Sequence, residues 1–238
     1  MKKPVFWREL AYILGIVTLA LGAAMLVKAD FGLSVVVAPA YLVYLQLSSI
    51  WSFITFGLAE YLVQAILLIA LFLLMGRVRS IYLFSFLSAL MYGRVLDGFQ
   101  LLLAPLSMSM PVLRLVFFGI GVLLCAIGVA LMFRTYLMPE VYELFIKELA
   151  GRHHIPISRF KTAYDCASCL LAICLSFLFF GLFHFEGVKL GTVFCALVNG
   201  KLVGFCGQLM DRVWTFSAAL PRWEHFFQAA GGEESTIS

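Results

Sequence analysis

Charged side chains are scarce in this sequence. Only 13% of its 238 residues are Asp, Glu, Lys or Arg, while 63% are hydrophobic. A water-soluble domain of this length has too much surface to cover with so few charges, so this composition excludes a soluble globular protein. The sequence therefore predicts an integral membrane protein.

Common catalytic and nucleotide-binding signatures are also missing. The sequence has no glycine-rich nucleotide loop, no H-E-x-x-H motif and no sharp turn around a nucleophilic serine. Its net charge of +4 comes from scattered basic residues that form no continuous stripe, which argues against nucleic-acid binding. We therefore expect no enzyme activity, cofactor, metal site or nucleic-acid partner.

Cysteine is absent from the loops between the apolar segments, so disulfide bonds are not expected to stabilise the fold. The six cysteines lie within apolar segments and are expected to be small packing residues. Cys166 and Cys169 form a C-x-x-C pair and leave open a membrane thiol oxidoreductase. A lone C-x-x-C on a helix lacks the second ligand pair of a zinc site.

Long hydrophobic runs are abundant. A run of about 20 apolar residues crosses the hydrocarbon layer of a bilayer. Six segments reach this length: 10–28, 53–76, 80–104, 112–133, 162–183 and 189–210. Two further segments are ambiguous: 30–51 is only just long enough to cross, and 138–159 is amphipathic with a helical part ending near Gly151.

The basic residues predict the orientation. If neither ambiguous segment crosses, one face of the membrane receives nearly all the loop Lys and Arg, which makes it cytoplasmic and places both termini there. If only 30–51 crosses, the sides change midway along the chain and this pattern is lost. The basic residues placed on the cytoplasmic face are Arg77, Arg79, Lys147, Arg152, Arg159, Lys161, Arg212 and Arg222.

The sequence repeats itself over some ninety residues. The matches predict a first repeat over 1–110, a second over 111–216 and a cytoplasmic tail over 217–238. Each repeat has three long helices and one short or re-entrant helix, giving an all-α polytopic membrane protein. The matched pairs are Gly15 and Gly121, Gly22 and Gly128, Ala24 and Ala130, Lys28 and Arg134, Glu60 and Asp165, Gly76 and Gly181, and Gly93-Arg94 and Gly200-Lys201.

The number of crossings in each repeat decides how the repeats are related. With three crossings the second repeat starts from the opposite side of the membrane, so the repeats are inverted. Secondary transporters often have this architecture, with the site between the halves and discontinuous helices facing the substrate. With four crossings the repeats would be parallel and the inference of transport would weaken.

Charged residues inside membrane helices are costly and usually functional. Arg94 and Lys201 each follow a glycine in the last helix of a repeat, so we expect both cations to bind an anionic group in one central pocket. The alternative is structural, with Arg94 paired to Asp97 or Glu60 and Lys201 paired to Asp165.

Five other residues complete the predicted binding site. Glu60 and Asp165 are expected to accept a coupling proton, bind a substrate amine or neutralise the two cations. Thr192 and Asn199 add polar groups to the last helix, although such groups more often form helix–helix hydrogen bonds. Asp97 lies three residues after Arg94, on the same side of the helix.

The remaining charges have simpler interpretations. Lys28 and Arg134 are expected to extend towards the membrane surface. Asp30 and Glu140 follow them closely, where a local ion pair would suffice. Glu143 and Glu148 are interpreted as a solvated face of the amphipathic segment.

Motifs in the second half resemble the YczE/YitT family of bacterial membrane proteins. They are a short-helix entry at Pro139-Glu140, a turn at Ile157-Ser158, the acid Asp165, and Gly191-Thr192…Ala196…Gly200 in the last helix. Lys201 departs from that family's proline. The resemblance implies a bacterial inner-membrane protein and transport, without a substrate.

These observations favour a secondary transporter or exporter of a small anionic or zwitterionic metabolite. Its expected partners are that small-molecule substrate, the lipid bilayer and a coupling proton or cation, with a homodimer left open. A non-transporting partner subunit or scaffold is the alternative from another class.

Overall fold

The computed structural model describes residues 3–76, 82–181 and 188–231, and most of these residues are α-helical. In chain order the elements are β1 Val5–Trp7, α1 Arg8–Ala29, α2 Ala38–Ser48, α3 Phe56–Met75, α4 Tyr82–Leu103, α5 Pro111–Met132, α6 Val141–Arg152, α7 Ile157–Phe180, α8 Leu190–Val213, β2 Thr215–Ser217 and α9 Pro221–Gly231. The helical prediction is confirmed.

Six of the described helices are long and apolar enough to cross a membrane: α1, α3, α4, α5, α7 and α8. At 1.5 Å per residue, about 20 residues match a hydrocarbon layer of about 30 Å. Leucines are largely exposed on the outside of the bundle, including Leu73, Leu101 and Leu190. Lipid is the solvent that accommodates such a surface, so the chain is a multi-pass membrane protein with the six predicted spans.

The two ambiguous segments form the short helices α2 and α6. They have 11 and 12 residues, so each is only about 16–18 Å long and covers about half of the hydrocarbon layer. Pro39 lies in the first turn of α2, where its missing N–H costs no helical hydrogen bond. Neither short helix has the length of a span.

Helices α1 and α5 approach each other closely through glycine. A Cβ atom on Gly22 would lie 2.8 Å from the Gly121 carbonyl oxygen, and one on Gly128 would lie 2.9 Å from the Gly15 carbonyl oxygen. Residue numbers rise along α1 as they fall along α5, so the two helices are antiparallel. Glycine is required at these positions because a side chain would separate the backbones.

The short helices pack across the molecule. Helix α2 contacts α3 and α7, while α6 contacts α3, α4 and α7. The first turns of both short helices are buried, at Ala38 and Ala40 in α2 and at Val141 and Tyr142 in α6. Both helices therefore start in the interior of the bundle.

The two ends of the described chain lie on the same side of the bundle. Strand β1 pairs in parallel with β2, with Val5 opposite Thr215. Helix α9 then packs back onto the bundle through the buried Phe227, and Glu224 forms an ion pair with Arg8. The proposed domain boundaries stay a prediction, and Arg77 and Arg79 lie outside the described residues.

Candidate functional site

A small cavity lined by polar and apolar groups lies inside the bundle, where the first turn of α6 meets the segment before α2. Its volume is about 20 Å³, enough for one water molecule. Part of its apolar wall comes from Leu19 of α1 and Val129 of α5. The lining residues include Ser34, Val36, Val37, Tyr92, Cys125, Glu140, Tyr142, Glu143, Lys161 and Asn199.

Glu60 and Gln64 lie on one face of helix α3, since they are four residues apart, and each contacts a residue that lines the cavity. Both side chains are fully buried. The Tyr142 hydroxyl donates to Glu60 Oε2 at 2.9 Å, and Gln64 Nε2 donates to Glu140 Oε2 at 3.2 Å. Gln64 Oε1 also accepts from the Val141 backbone N–H at 3.1 Å, so Gln64 satisfies a backbone donor at the start of α6.

Helix α7 supplies the cation of the site. Lys161 Nζ lies 3.4 Å from Asp165 Oδ1 across one turn of the helix, and both side chains are almost completely buried. Taking both charges out of water is costly and requires that they stay together. This ion pair therefore fixes one positive charge beside the cavity.

Several oxygen atoms of the site have no hydrogen-bond partner among the described residues. They are Glu60 Oε1, Glu140 Oε1, Glu143 Oε2, Asp165 Oδ2 and Asn199 Oδ1. Buried polar groups of native proteins are normally satisfied, so these oxygens indicate a proton, a water molecule or a ligand. We refer to Glu60, Glu140, Glu143, Lys161, Asp165 and Asn199 as the central cluster.

Three residues predicted from the sequence belong to the central cluster, namely Glu60, Asp165 and Asn199. Asp97 of α4 instead contacts the start of α3, where its carboxylate accepts from Thr55 Oγ1 and from the Gly57 N–H, both at 2.9 Å. Thr192 Oγ1 accepts from the Leu33 N–H at 3.0 Å and so holds the segment before α2 to the start of α8. Asp97 and Thr192 thus connect helices outside the cavity.

The expected convergence of Arg94 and Lys201 on a central pocket is wrong. Both side chains are exposed on the outside of the bundle, and within the described ranges neither has an ion-pair partner. The predicted structural pairs are not found either, because Asp97 binds the start of α3 and Asp165 pairs with Lys161. The glycine before Arg94 serves packing, since a Cβ on Gly93 would lie 2.4 Å from Tyr61 Cε1.

For three charged residues of the central cluster, the sequence predicted a different environment from the one observed. Glu140 was expected beside Arg134, which instead pairs with Asp211 at 2.5 Å. Glu143 was interpreted as solvated but is 3% exposed, and Lys161, assigned to a cytoplasmic loop, is 1% exposed. The i, i+4 spacing of Lys161 and Asp165 was the signal available for finding this pair.

Other charges also have different partners from those expected. Asp30 binds both Arg114 Nη2 at 2.6 Å and Lys189 Nζ at 2.5 Å, while Lys28 Nζ donates to the Ala104 carbonyl oxygen at 2.9 Å. These contacts connect helix ends that are distant in sequence. They therefore contribute to the bundle at its surface, away from the central cluster.

The C-x-x-C pair lies on α7, with Cys166 partly exposed and Cys169 buried. All six cysteines are free thiols. In the part of the chain that the structure describes, no three or more His, Cys, Asp or Glu side chains are grouped to hold a metal ion.

The chain belongs to a family of unknown function, DUF6198, whose model matches residues 6–208. No curated protein and no solved structure matches the chain. The family match carries no activity. The resemblance to the YczE/YitT proteins stays a prediction.

Proposed function

We propose that this member of the DUF6198 family is a secondary transporter that moves a small solute through the central cluster between two inverted repeats. The observation that carries the proposal is the meeting of α6 and the segment before α2 at a buried polar cavity. Known transporters use discontinuous helices in this way because their ends offer unpaired backbone groups to a solute.

The contacts of α1 and α5 support the inverted relation of the repeats. Exchanging each glycine for its repeat equivalent converts the contact between Gly22 and Gly121 into the contact between Gly128 and Gly15. The packing of α2 on α7 is likewise matched by the packing of α6 on α3. An in-plane two-fold relation would produce such reciprocal contacts and requires that α1 and α5 be antiparallel.

The charges of the central cluster favour a solute that carries an ammonium group. A purely anionic solute is no longer supported, since Arg94 and Lys201 lie outside the cavity. Glu140, Glu143 and Lys161 line the cavity and suit a small zwitterion, whose amine would meet the two acids and whose carboxylate would meet Lys161. The cavity must open to admit it, so we interpret the structure as a closed form.

The membrane and the orientation are part of the proposal. We place the protein in a bacterial inner membrane with both chain ends in the cytoplasm, on the basis of the loop charges. Single cysteines at Ser49 and Ser107, introduced into a cysteine-free variant, should react with an impermeant maleimide from the outside. Cysteines at residue 78 and at His153 should react only from the inside; labelling of Ser49 and His153 from the same side would contradict the three-crossing repeat.

Flux in liposomes tests transport. Purified full-length protein is reconstituted, and exchange of radiolabelled glycine, alanine, glutamate and lysine is measured with and without a proton gradient. Glu143→Gln and Lys161→Gln should abolish the flux, while Arg94→Ala and Lys201→Ala should retain it. Equal flux in all four variants would refute the assignment of the site.

A non-transporting scaffold is the second candidate, and the small volume of the cavity favours it. A scaffold would give no flux above protein-free liposomes under any gradient. It would also tolerate Glu143→Gln and Lys161→Gln in its association with other membrane proteins. Absence of flux together with this tolerance would replace the transport proposal.

A further inference from the structure

The central cluster has an imbalance of charge. Glu60, Glu140, Glu143 and Asp165 would contribute four negative charges when ionised, against the single positive charge of Lys161. No other Lys or Arg among the described residues lines the cavity. Burying several uncompensated charges in a low-dielectric interior is so costly that such groups become neutral instead.

The hydrogen bonds of two of the acids fit a protonated form. Glu60 and Glu140 each have one oxygen held by a neutral donor, Tyr142 or Gln64, and a second oxygen without a donor. A protonated carboxyl fits this arrangement, because one oxygen accepts a hydrogen bond and the other carries a hydrogen that needs an acceptor. Asp165 differs, because its bound oxygen faces an ammonium group.

A second polar group points to the same conclusion. Asn199 lines the cavity, is 5% exposed, and its Oδ1 atom has no partner among the described residues. An amide oxygen is an acceptor only. It can be satisfied by the hydroxyl hydrogen of a protonated carboxyl, directly or through one water molecule in the cavity.

Titratable side chains surround the central cluster on the described helices that pack against it. None of them brings a further positive charge to the cavity to balance the acids. They are Tyr12 of α1, Glu60 of α3, Tyr92 of α4, Cys125 of α5, Glu140, Tyr142 and Glu143 at α6, Lys161, Tyr164 and Asp165 of α7, and Cys195 of α8.

We propose that Glu60, Glu140 and Glu143 hold three protons in the closed form and that these are the coupling protons of the transporter. Asp165 stays ionised against Lys161, so the cluster has no net charge. When the cavity opens, the carboxyl O–H bonds break, water accepts the protons, and the carboxylates receive the ammonium group of the solute. The coupling role rests on the proposed transport function, whereas the protonation itself does not.

Infrared difference spectroscopy tests the protonation directly. Full-length protein in lipid films is titrated from neutral to alkaline pH, and the carbonyl stretch of protonated carboxyl groups is recorded. Glu60→Gln, Glu140→Gln and Glu143→Gln should each remove about one third of the cluster's band, because each deletes one of three protonated acids. Glu148→Gln, on α6 but outside the central cluster, should leave the band unchanged.

Three results would overturn this proposal. One is a wild-type protein without the band at neutral pH. Another is a band that appears only when sodium is replaced by choline, which would mean that a metal ion neutralises the acids. Loss of the band in Glu148→Gln alone would assign the protons elsewhere and also refute it.

Flux separates this inference from the transport proposal. Liposomes loaded with a pH-sensitive dye should report proton movement opposite to the flux of glycine, alanine or lysine, and Glu143→Gln should abolish it. A protonated cluster without solute flux would refute transport and leave protonation standing. Solute flux with no accompanying proton movement would refute coupling alone.

Discussion

The short helices α2 and α6 each precede a long helix and start in the interior of the bundle, but they differ in chemistry. The residues of α2, APAYLVYLQLS, carry no charge, whereas α6 begins beside Glu140 and contains Glu143. The segment before α2 lines the cavity with Ser34, Val36 and Val37. The starts of both short helices thus contribute to the cavity, while the acidic groups at this end of the site come only from the start of α6.

The helices that follow them differ in the same way. Glu60 of α3 and Asp165 of α7 are matched in the repeat predicted from the sequence, and both are fully buried. Glu60 accepts from the neutral hydroxyl of Tyr142, whereas Asp165 pairs with Lys161. Of two acids at positions matched in the sequence, one can therefore be neutral and the other ionised, because their nearest partners differ.

The largest effect should come from separating the halves. Gly128→Leu places a side chain against the backbone of α1, where even a Cβ would lie 2.7 Å from the Leu19 nitrogen. We expect a loss of about 3 kcal/mol or more in the free energy of unfolding, because packed helices relax poorly around added volume. Thermal unfolding in detergent measures this loss.

Gly119→Leu is the matched control on the same helix, since a Cβ there has open space within 4 Å. It should unfold at the wild-type temperature. Equal destabilisation by both substitutions would mean that α1 and α5 do not meet through glycine.

The ion pair of α7 has no counterpart on α3, and Lys161→Met tests its importance. Removing one partner of a buried pair costs about 3–5 kcal/mol when the other charge remains. In the variant, Asp165 becomes neutral only by taking up a proton, so stability should be greatest at low pH and fall as pH rises. Unfolding temperatures measured across pH check the sign.

The double variant Lys161→Met/Asp165→Asn removes both charges and should recover most of the loss. A single variant that is as stable as wild type at every pH would show that the pair contributes nothing to folding.

The contrast between α2 and α6 predicts a smaller effect, on flux rather than on folding. Glu143→Gln should reduce proton-driven flux at least about tenfold while changing the unfolding temperature little, since the amide replaces a neutral acid of the same shape. Glu148→Gln on the same helix should preserve flux. Proton-driven exchange of glycine in liposomes is the measurement.

The smallest effect is expected from the two outward cations. Arg94→Ala and Lys201→Ala should each change flux less than about twofold and should not lower the unfolding temperature, because neither side chain contacts the central cluster. A cation at a lipid-facing position is itself costly. Loss of flux in either variant would restore these residues to the transport site.

The spans were predictable because lipid imposes a length and a composition on every crossing helix. Glu60, Asp165 and Asn199 were found for a related reason: a polar side chain inside an apolar run must have a partner or a site. Arg94 satisfied the same criterion yet faces outward. Its helix is apolar on both sides of the residue, so periodicity gave no direction for the inward face.

Glu143 was missed because an amphipathic pattern identifies a polar face without identifying what that face contacts. Here α6 packs against α3, α4 and α7, and hydrogen bonds of Tyr142 and Gln64 connect it to α3. A single sequence does not show that the polar face of a twelve-residue helix is buried inside the bundle.

The sequence by itself determined that this chain crosses a membrane with six helices, because hydrophobic length depends only on consecutive residues. The tertiary structure decided which charges meet at the centre, because that depends on how helices rotate and pack against one another. The rotation of each helix about its axis leaves Lys161 and Glu143 buried and Arg94 and Lys201 exposed. Local sequence does not specify that rotation.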